Sequence, residues 1–391
     1  MECGNTSRVR VCHLTSVHSV YDIRIFHKEC KSLAKAGFDV TLIATASSAN
    51  TETVCEDGVR IITLSKPRFR WERFTKTLWK IYQLSKKANA DIYHFHDPEL
   101  ITVGLLLRLH GKQVIYDVHE DYPLQILSKY WIPKRLRWIV AKGTELIERF
   151  AIQFLSGVVA ATPAICKKYP PYKSVTVQNF PLLSEQLSDL QTIPYISRPP
   201  RCVYVGSISF MRGAHEMVQA MEYIPAHLNA RLVLAGIFTP VSLMNELQRL
   251  QSWQWVEFVG WQARKDVNET LNQSRIGLVV LHPVVNYLES YPIKLFEYMS
   301  TGLPVIASDF PLWREIVAGA GCGILVDPLN PIEIARGIEY LLTHPQEAFE
   351  MGERGRVAVQ QKYNWEAEAE KLVRIYRELS EQSSQNDRSK R

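Results

Sequence analysis

Two glutamates, Glu289 and Glu297, stand with seven residues between them in Glu289-Ser290-Tyr291-Pro292-Ile293-Lys294-Leu295-Phe296-Glu297. An ionised carboxylate accepts hydrogen bonds from two neighbouring hydroxyls, so Glu297 suits a ribose and Glu289 a sugar ring. Proline is at home in the first turn of a helix, which sets a helix start near Pro292. Gly302-Leu303-Pro304 ends that helix ahead of a buried strand. Its N-terminal amides would receive a diphosphate, and Lys294 would add a positive charge there. Isolated glutamate pairs are mostly solvated surface; the strand-loop-helix-Gly-x-Pro context argues for more.

A second stretch, Val205-Gly206-Ser207-Ile208-Ser209-Phe210-Met211-Arg212-Gly213, lies between a strand and a helix. Gly206 permits close backbone approach, and Arg212 offers a fork of donors to phosphate. Trp261 follows the strand Val256 to Val259 and either stacks on a base or packs. In the first half, Tyr93-His94-Phe95-His96-Asp97-Pro98-Glu99 and Tyr116-Asp117-Val118-His119-Glu120-Asp121 each put histidine and acid just beyond a strand. Their spacings match no familiar ligand set, and no Asp-x-Asp pair is present, so no metal site and no cofactor are expected.

The Glu-seven-Glu spacing, followed by Gly302-Leu303-Pro304-Val305-Ile306, resembles the retaining glycosyltransferases of family four. The likeness runs from Val9-Arg10-Val11 to Tyr363-Asn364-Trp365. It implies the GT-B architecture: two Rossmann-like domains facing across a cleft, with the C-terminal helix, about 365–380, returning to the N-terminal domain. It also implies that Glu297 binds the ribose of a nucleotide sugar, Glu289 contacts the donor sugar, and His119 lies near that sugar and its phosphate. Gly206, Arg212 and Trp261 complete the donor set. The family's usual Gly-Arg start is here Gly206-Ser207, so Lys294 is the candidate for the missing cation. His18, Asp22, His96, Asp97, Glu120 and Asp121 are candidate acceptor contacts, with Arg24 shaping the same side. The implied reaction is same-face sugar transfer to a glycan or lipid-linked acceptor, in the manner of bacterial surface-polysaccharide synthesis.

Positioning these residues requires two α/β series. Short apolar runs alternate with helical patterns along the whole chain, the mark of parallel sheets. Strands are expected at Val9–Leu14, Asp39–Ala44, Ile92–Phe95, Gln113–Asp117, Gly157–Ala161 and Ser174–Val177. A second series follows at Cys202–Gly206, Arg231–Ala235, Val256–Val259, Ile276–Leu281, Pro304–Ala307 and Gly323–Val326. Domains are expected at 1–183 and 201–364, joined by a polar, proline-containing linker at 184–200, with a disordered tail at 381–391. The 391-residue length fits two domains.

Composition narrows the class further. At 46% hydrophobic and 22% charged residues, the chain is neither disordered nor fibrous. Seven scattered cysteines without C-x-x-C pairs read as free thiols in a reducing compartment. No signal peptide is evident at the start, and no apolar run serves as a membrane span, so the expected location is cytoplasmic. Residues 1–180 carry 26 Lys+Arg against 16 Asp+Glu. Two basic stretches, Lys66–Lys87 and Lys129–Arg149, interleave cations with aromatic and aliphatic residues, which suits an anionic membrane at the inner face rather than nucleic acid. Two other readings compete: a nucleotide-sugar epimerase on the same fold, and a non-catalytic binder of membrane or nucleic acid.

Overall fold

The computed structural model describes residues 8–46, 53–67, 69–128, 132–183 and 193–389. The chain forms two compact units: Met1–Asn179 with Glu366–Arg391, and Phe180–Trp365.

The first unit holds an eight-stranded sheet. Its strands are β1 (Arg10–Leu14), β2 (Asp39–Ala46), β3 (Thr53–Glu56), β4 (Val59–Ser65), β5 (Ile92–Phe95), β6 (Gln113–Val118), β7 (Gly157–Ala160) and β8 (Ser174–Thr176). They lie in the order β3-β4-β2-β1-β5-β6-β7-β8. All neighbours are parallel except the β3–β4 hairpin, whose Asp57-Gly58 turn has positive φ at both residues. Strands covered on both faces are apolar almost throughout; β5, β6 and β7 are buried along their whole length.

The second unit repeats the plan with β9 (Arg201–Val205), β10 (Arg231–Ala235), β11 (Val256–Gly260), β12 (Ile276–Val279), β13 (Val305–Ser308) and β14 (Gly323–Val326). The order is β11-β10-β9-β12-β13-β14, all parallel. This is the doubly wound Rossmann order. In each unit the strand order reverses beside the first strand, between β1 and β5 and between β9 and β12. Loops leaving those strands at their carboxyl ends form the crevice where such sheets bind ligands.

Two close approaches build the second crevice. Gly277 on β12 leaves room for the Tyr298 ring, which would lie 2.3 Å from any β-carbon there. Tyr298 in turn accepts a hydrogen bond from the Val205 amide at 2.8 Å, tying the helix Ile293–Ser300 to the end of β9. At the tip of β10, Gly236 has φ +150°, and a β-carbon on it would sit 1.8 Å from the Gly206 carbonyl oxygen.

The C-terminal helix runs Trp365–Ser389, and its Tyr376 is buried in the first unit against His94 and His13. The expected disordered tail at 381–391 is therefore corrected: helix continues through most of it. Residues 365–389 contain neither glycine nor proline, so a helix anchored by packed residues propagates into the polar end at little cost per residue. Residues 184–192 of the expected linker lie outside the described residues; beyond them Tyr195 is buried and its hydroxyl donates to the Arg275 carbonyl at 3.0 Å. Cys12, Cys30, Cys166, Cys202 and Cys322 are free thiols, as expected, whereas Cys55 is disulfide-bonded. Among the described residues no helix is long and apolar enough to cross a membrane.

The contact at Gly236 yields a test. Gly236→Ala forces β10 away from Gly206 and imposes a disfavoured φ, with an expected loss of more than about 2 kcal/mol, read from urea unfolding of the full chain.

Candidate functional site

The carboxyl edge of the second sheet gathers positive charge around a glycine. Gly206 leaves β9 with φ +121°, and a β-carbon built on it would lie 3.4 Å from Lys294 Nζ and 3.9 Å from Arg212 Nη1. Lys294 comes from the first turn of the helix Ile293–Ser300, whose preceding residue is Pro292 with extended backbone. Arg212 closes the short 3-10 turn Phe210–Arg212 and donates from Nη1 to the Ser207 carbonyl at 3.5 Å, which also accepts from the Tyr204 hydroxyl at 2.9 Å. Lys294 as a residue is half-buried, but its Nζ is enclosed and has no hydrogen-bond partner among the described residues. Its neighbours are the Tyr204 ring, 3.6 Å to the centroid, and the Arg212 charge.

A buried ammonium beside a second cation is costly unless an anion joins them. A cation over an aromatic face recovers only part of that cost. Two cations, a glycine that lets the backbone come close and a helix N-terminus together are an arrangement suited to an anion.

Glu297 lies further along the same helix, half-buried, in an ion pair with Arg264. Arg264 opens the helix Arg264–Asn272 after β11. Glu289 caps the C-terminal end of the short helix Val285–Leu288 and is exposed. Trp261 follows Gly260 at the end of β11 and is 71% exposed, so its ring is not spent on core packing.

In the first unit, Asp117 at the end of β6 is the hub. It is fully buried and receives Arg24 in a fork, Nε to Oδ2 at 2.9 Å and Nη2 to Oδ1 at 2.8 Å. His119 Nε2 lies 2.7 Å from the same Oδ2, and His96 Nδ1 3.1 Å from it. Burial opposes ionisation of Asp117, but the Arg24 charge and then His119 outweigh it and hold the carboxyl well below its usual range. Asp117 and His119 are two apart on an extended chain, so both project to one side. His119 is half-buried and keeps contact with solvent.

Several candidate acceptor contacts have another part in the structure. Asp97 is buried, and its carboxylate accepts from the Ser16 amide at 2.6 Å, Thr15 Oγ1 at 2.8 Å and His18 Nδ1 at 3.0 Å. It holds the loop after β1 in place. His96 is likewise buried, within the Asp117 cluster. Asp22 caps the helix that follows it, accepting from the amides of Arg24 and Ile25. Asp121 accepts from the Leu124 amide and pairs with Lys168. Glu120 is exposed, and His18 is half-buried with its ring 5.0 Å from that of His119. Sequence reasoning missed Asp117, Glu29, His13 and Tyr376, and it missed Arg264. For Asp117 the signal was present: an acid inside an otherwise apolar strand, two positions before His119.

Comparison with known proteins agrees with this architecture. Residues 191–358 match the family described as Glycosyl transferases group 1, and residues 24–173 the family described as Glycosyltransferase Family 4. Both halves of the chain are thus similar to glycosyltransferases, the first half to family four, and the chain has the GT-B fold. An uncharacterized glycosyltransferase of Methanocaldococcus jannaschii is 29% identical over 176 residues, 45% of this chain and 44% of that protein. The match thus spans less than half the length of that relative. Among solved structures, sucrose-phosphate synthase from Thermosynechococcus elongatus superposes with a TM-score of 0.74 at 20% identity, over 95% of this chain and 99% of the other. HepE from Anabaena, solved with UDP and glucose, gives 0.67 at 15% identity, over 97% and 100%.

The enclosed ammonium has a measurable consequence. Burial, then the Arg212 charge, lower the Lys294 pKa well below the usual lysine range. As pH falls from about 10.4, the unfolded chain takes up this proton first. Stability therefore rises with pH between the folded pKa and that value. Lys294→Met is expected to lose that slope and to stabilise the chain by about 1–3 kcal/mol. Urea titrations over pH read both.

Proposed function

We propose that this chain transfers a sugar from a nucleoside-diphosphate sugar to a glycan or lipid-linked acceptor, with retention at the anomeric carbon, in the building of a surface polysaccharide. The observation that carries the reading is the unpartnered Lys294 ammonium beside Arg212 at Gly206, on the helix that also bears Glu297. The two cations receive the diphosphate and stabilise the charge that grows on it as it leaves. Glu297 takes the ribose hydroxyls, exchanging its Arg264 partner for them, while Glu289 takes hydroxyls of the donor sugar and Trp261 lies along the base. In the first unit, the family resemblance assigns His119 to the transfer reaction.

In same-face displacement the acceptor oxygen bonds the anomeric carbon as the bond from that carbon to the phosphate oxygen breaks. The acceptor proton passes to the departing phosphate. No protein nucleophile is required; the protein supplies position and charge. With two cations on the diphosphate, transfer proceeds without a metal ion or other cofactor.

Calorimetric titration with UDP, GDP and ADP sugars is expected to find one donor class that binds. Glu297→Ala should weaken that donor by at least about tenfold, the scale of a hydrogen bond to a charged group. The product anomer, read by NMR, should match the donor anomer, and chelator-treated protein should keep its rate. Failure of every donor to bind removes the reading; an inverted product or chelator-sensitive turnover removes that part of it.

The proposal includes peripheral contact with an anionic membrane at the cytoplasmic inner face, without nucleic-acid binding. The helix Lys134–Phe154 buries Ala141, Glu148, Ala151 and Ile152 on one side. On the other it exposes Leu136, Ile139, Ile147, Phe150 and Phe154, among exposed Lys134, Arg135, Lys142 and Arg149. Apolar side chains ringed by cations suit an acidic lipid surface better than a polynucleotide backbone. Trp131, from the same stretch, lies outside the described residues. The double change Ile147→Ser, Phe150→Ser should reduce co-sedimentation with phosphatidylglycerol vesicles by at least about tenfold and leave donor binding unchanged. Undiminished vesicle binding would reassign the face.

A further inference from the structure

We propose that Tyr376 on the C-terminal helix is a positioning residue for His119, acting through the buried chain Tyr376–His13–His96–Asp117, which leaves Nδ1 as the free nitrogen of the His119 ring. The inference rests on the assignment of His119 to the transfer reaction and concerns what prepares that ring.

The links are short and consecutive. Tyr376 Oη lies 3.1 Å from His13 Nε2 and 2.7 Å from His94 Nδ1. His13 Nδ1 lies 2.9 Å from His96 Nε2, and His96 Nδ1 lies 3.1 Å from Asp117 Oδ2. The same Oδ2 meets His119 Nε2 at 2.7 Å. His13, His94 and His96 are buried, as are Asp117 and Tyr376.

An ionised carboxylate only accepts, and this gives the chain one polarity. His96 must donate to Asp117 from Nδ1, so its Nε2 is a lone pair and accepts from His13 Nδ1. His13 Nε2 is then bare and accepts the Tyr376 hydroxyl proton. The Tyr376 oxygen in turn accepts from His94 Nδ1. His94 Nε2 ends the chain as a lone pair, and it is buried with no hydrogen-bond partner among the described residues. Every N–H and O–H along the path has an acceptor, and every imidazole is neutral. Burial favours the neutral form of all three histidines.

Glu29 lies in the same cluster, its Oε1 3.1 Å from Arg24 Nε; burial, then the Asp117 charge, push its carboxyl well above the usual carboxylate range. A π-helical segment, Ile23–Cys30, supplies Arg24 and Glu29, whose spacing of five suits its i→i+5 pairing. By the same logic His119 donates to Asp117 from Nε2, and Nδ1 is a lone pair able to accept from a substrate hydroxyl. The residue furthest along the sequence thus sets the state of a ring at the carboxyl edge of the first sheet.

The test uses the full chain labelled with 15N-histidine. Long-range 15N–1H spectra should show His119 in the Nε2–H tautomer. Tyr376→Phe keeps the ring and removes the hydroxyl. It should convert His119 to a tautomer mixture and lower kcat by about tenfold, with the donor KM moving less than about threefold, the pattern of a disturbed acid–base group. His13→Gln breaks the next link and should give the same signature. A wild-type His119 tautomer in Tyr376→Phe overturns the proposal. So does a stoichiometric metal ion surviving chelator dialysis, because the histidine nitrogens would then be its ligands. Wild-type turnover in His119→Ala would instead defeat the catalytic assignment of His119 while leaving the tautomer result standing, so the two failures separate.

Discussion

Two like charges held together are the constraint on which the second unit is organised. Lys294 Nζ and the Arg212 guanidinium converge over Gly206, and Lys294 Nζ has no hydrogen-bond partner among the described residues. A fold tolerates this only if the elements carrying the charges are pinned by other means. Tyr298 bonds the end of β9, Gly277 makes room for Tyr298, and Gly236 packs backbone to backbone on Gly206. Each holds the proposed anion site open in the ligand-free protein, so binding need not pay for its assembly.

The first unit solves the opposite problem. Its crevice holds buried carboxylates, histidines and one guanidinium, and from Tyr376 to Asp117 donors and acceptors alternate. Asp117 accepts from Arg24, His96 and His119, and Asp97 accepts from the loop that follows β1. Satisfied networks of this kind stiffen a site, whereas one missing partner would make the same groups a liability. The half-buried His119 stands at the edge of the network, its Nε2 on Asp117.

The architecture was legible because a parallel sheet covered on both faces leaves a plain trace, short apolar strands separated by helices, and the main strand positions follow from it. The β3–β4 hairpin went unread although Asp57-Gly58 between β-branched runs is a hairpin signal; its first strand is short and largely exposed, so its apolar trace is faint. The second-unit residues were legible as well, since the Glu-seven-Glu spacing, Lys294 and Arg212 all lie on two local segments. The acid cluster of the first unit was misread in part. His96 and Asp97 look like ligand contacts in a strand-end motif, yet both are consumed by protein partners more than twenty positions away.

By itself, the sequence determined what is local: the strand and helix order, the helix start at Pro292, the charges it carries, and the family spacing of Glu289 and Glu297. Tertiary structure alone decided which groups lose their water and which find partners. Lys294 is an ordinary lysine in the sequence and an enclosed, unpaired ammonium in the fold; Tyr376 is one aromatic in a helix and the origin of a buried chain to Asp117. Desolvation and hydrogen-bond polarity depend on atoms brought together from distant positions, and no periodicity along the chain records them.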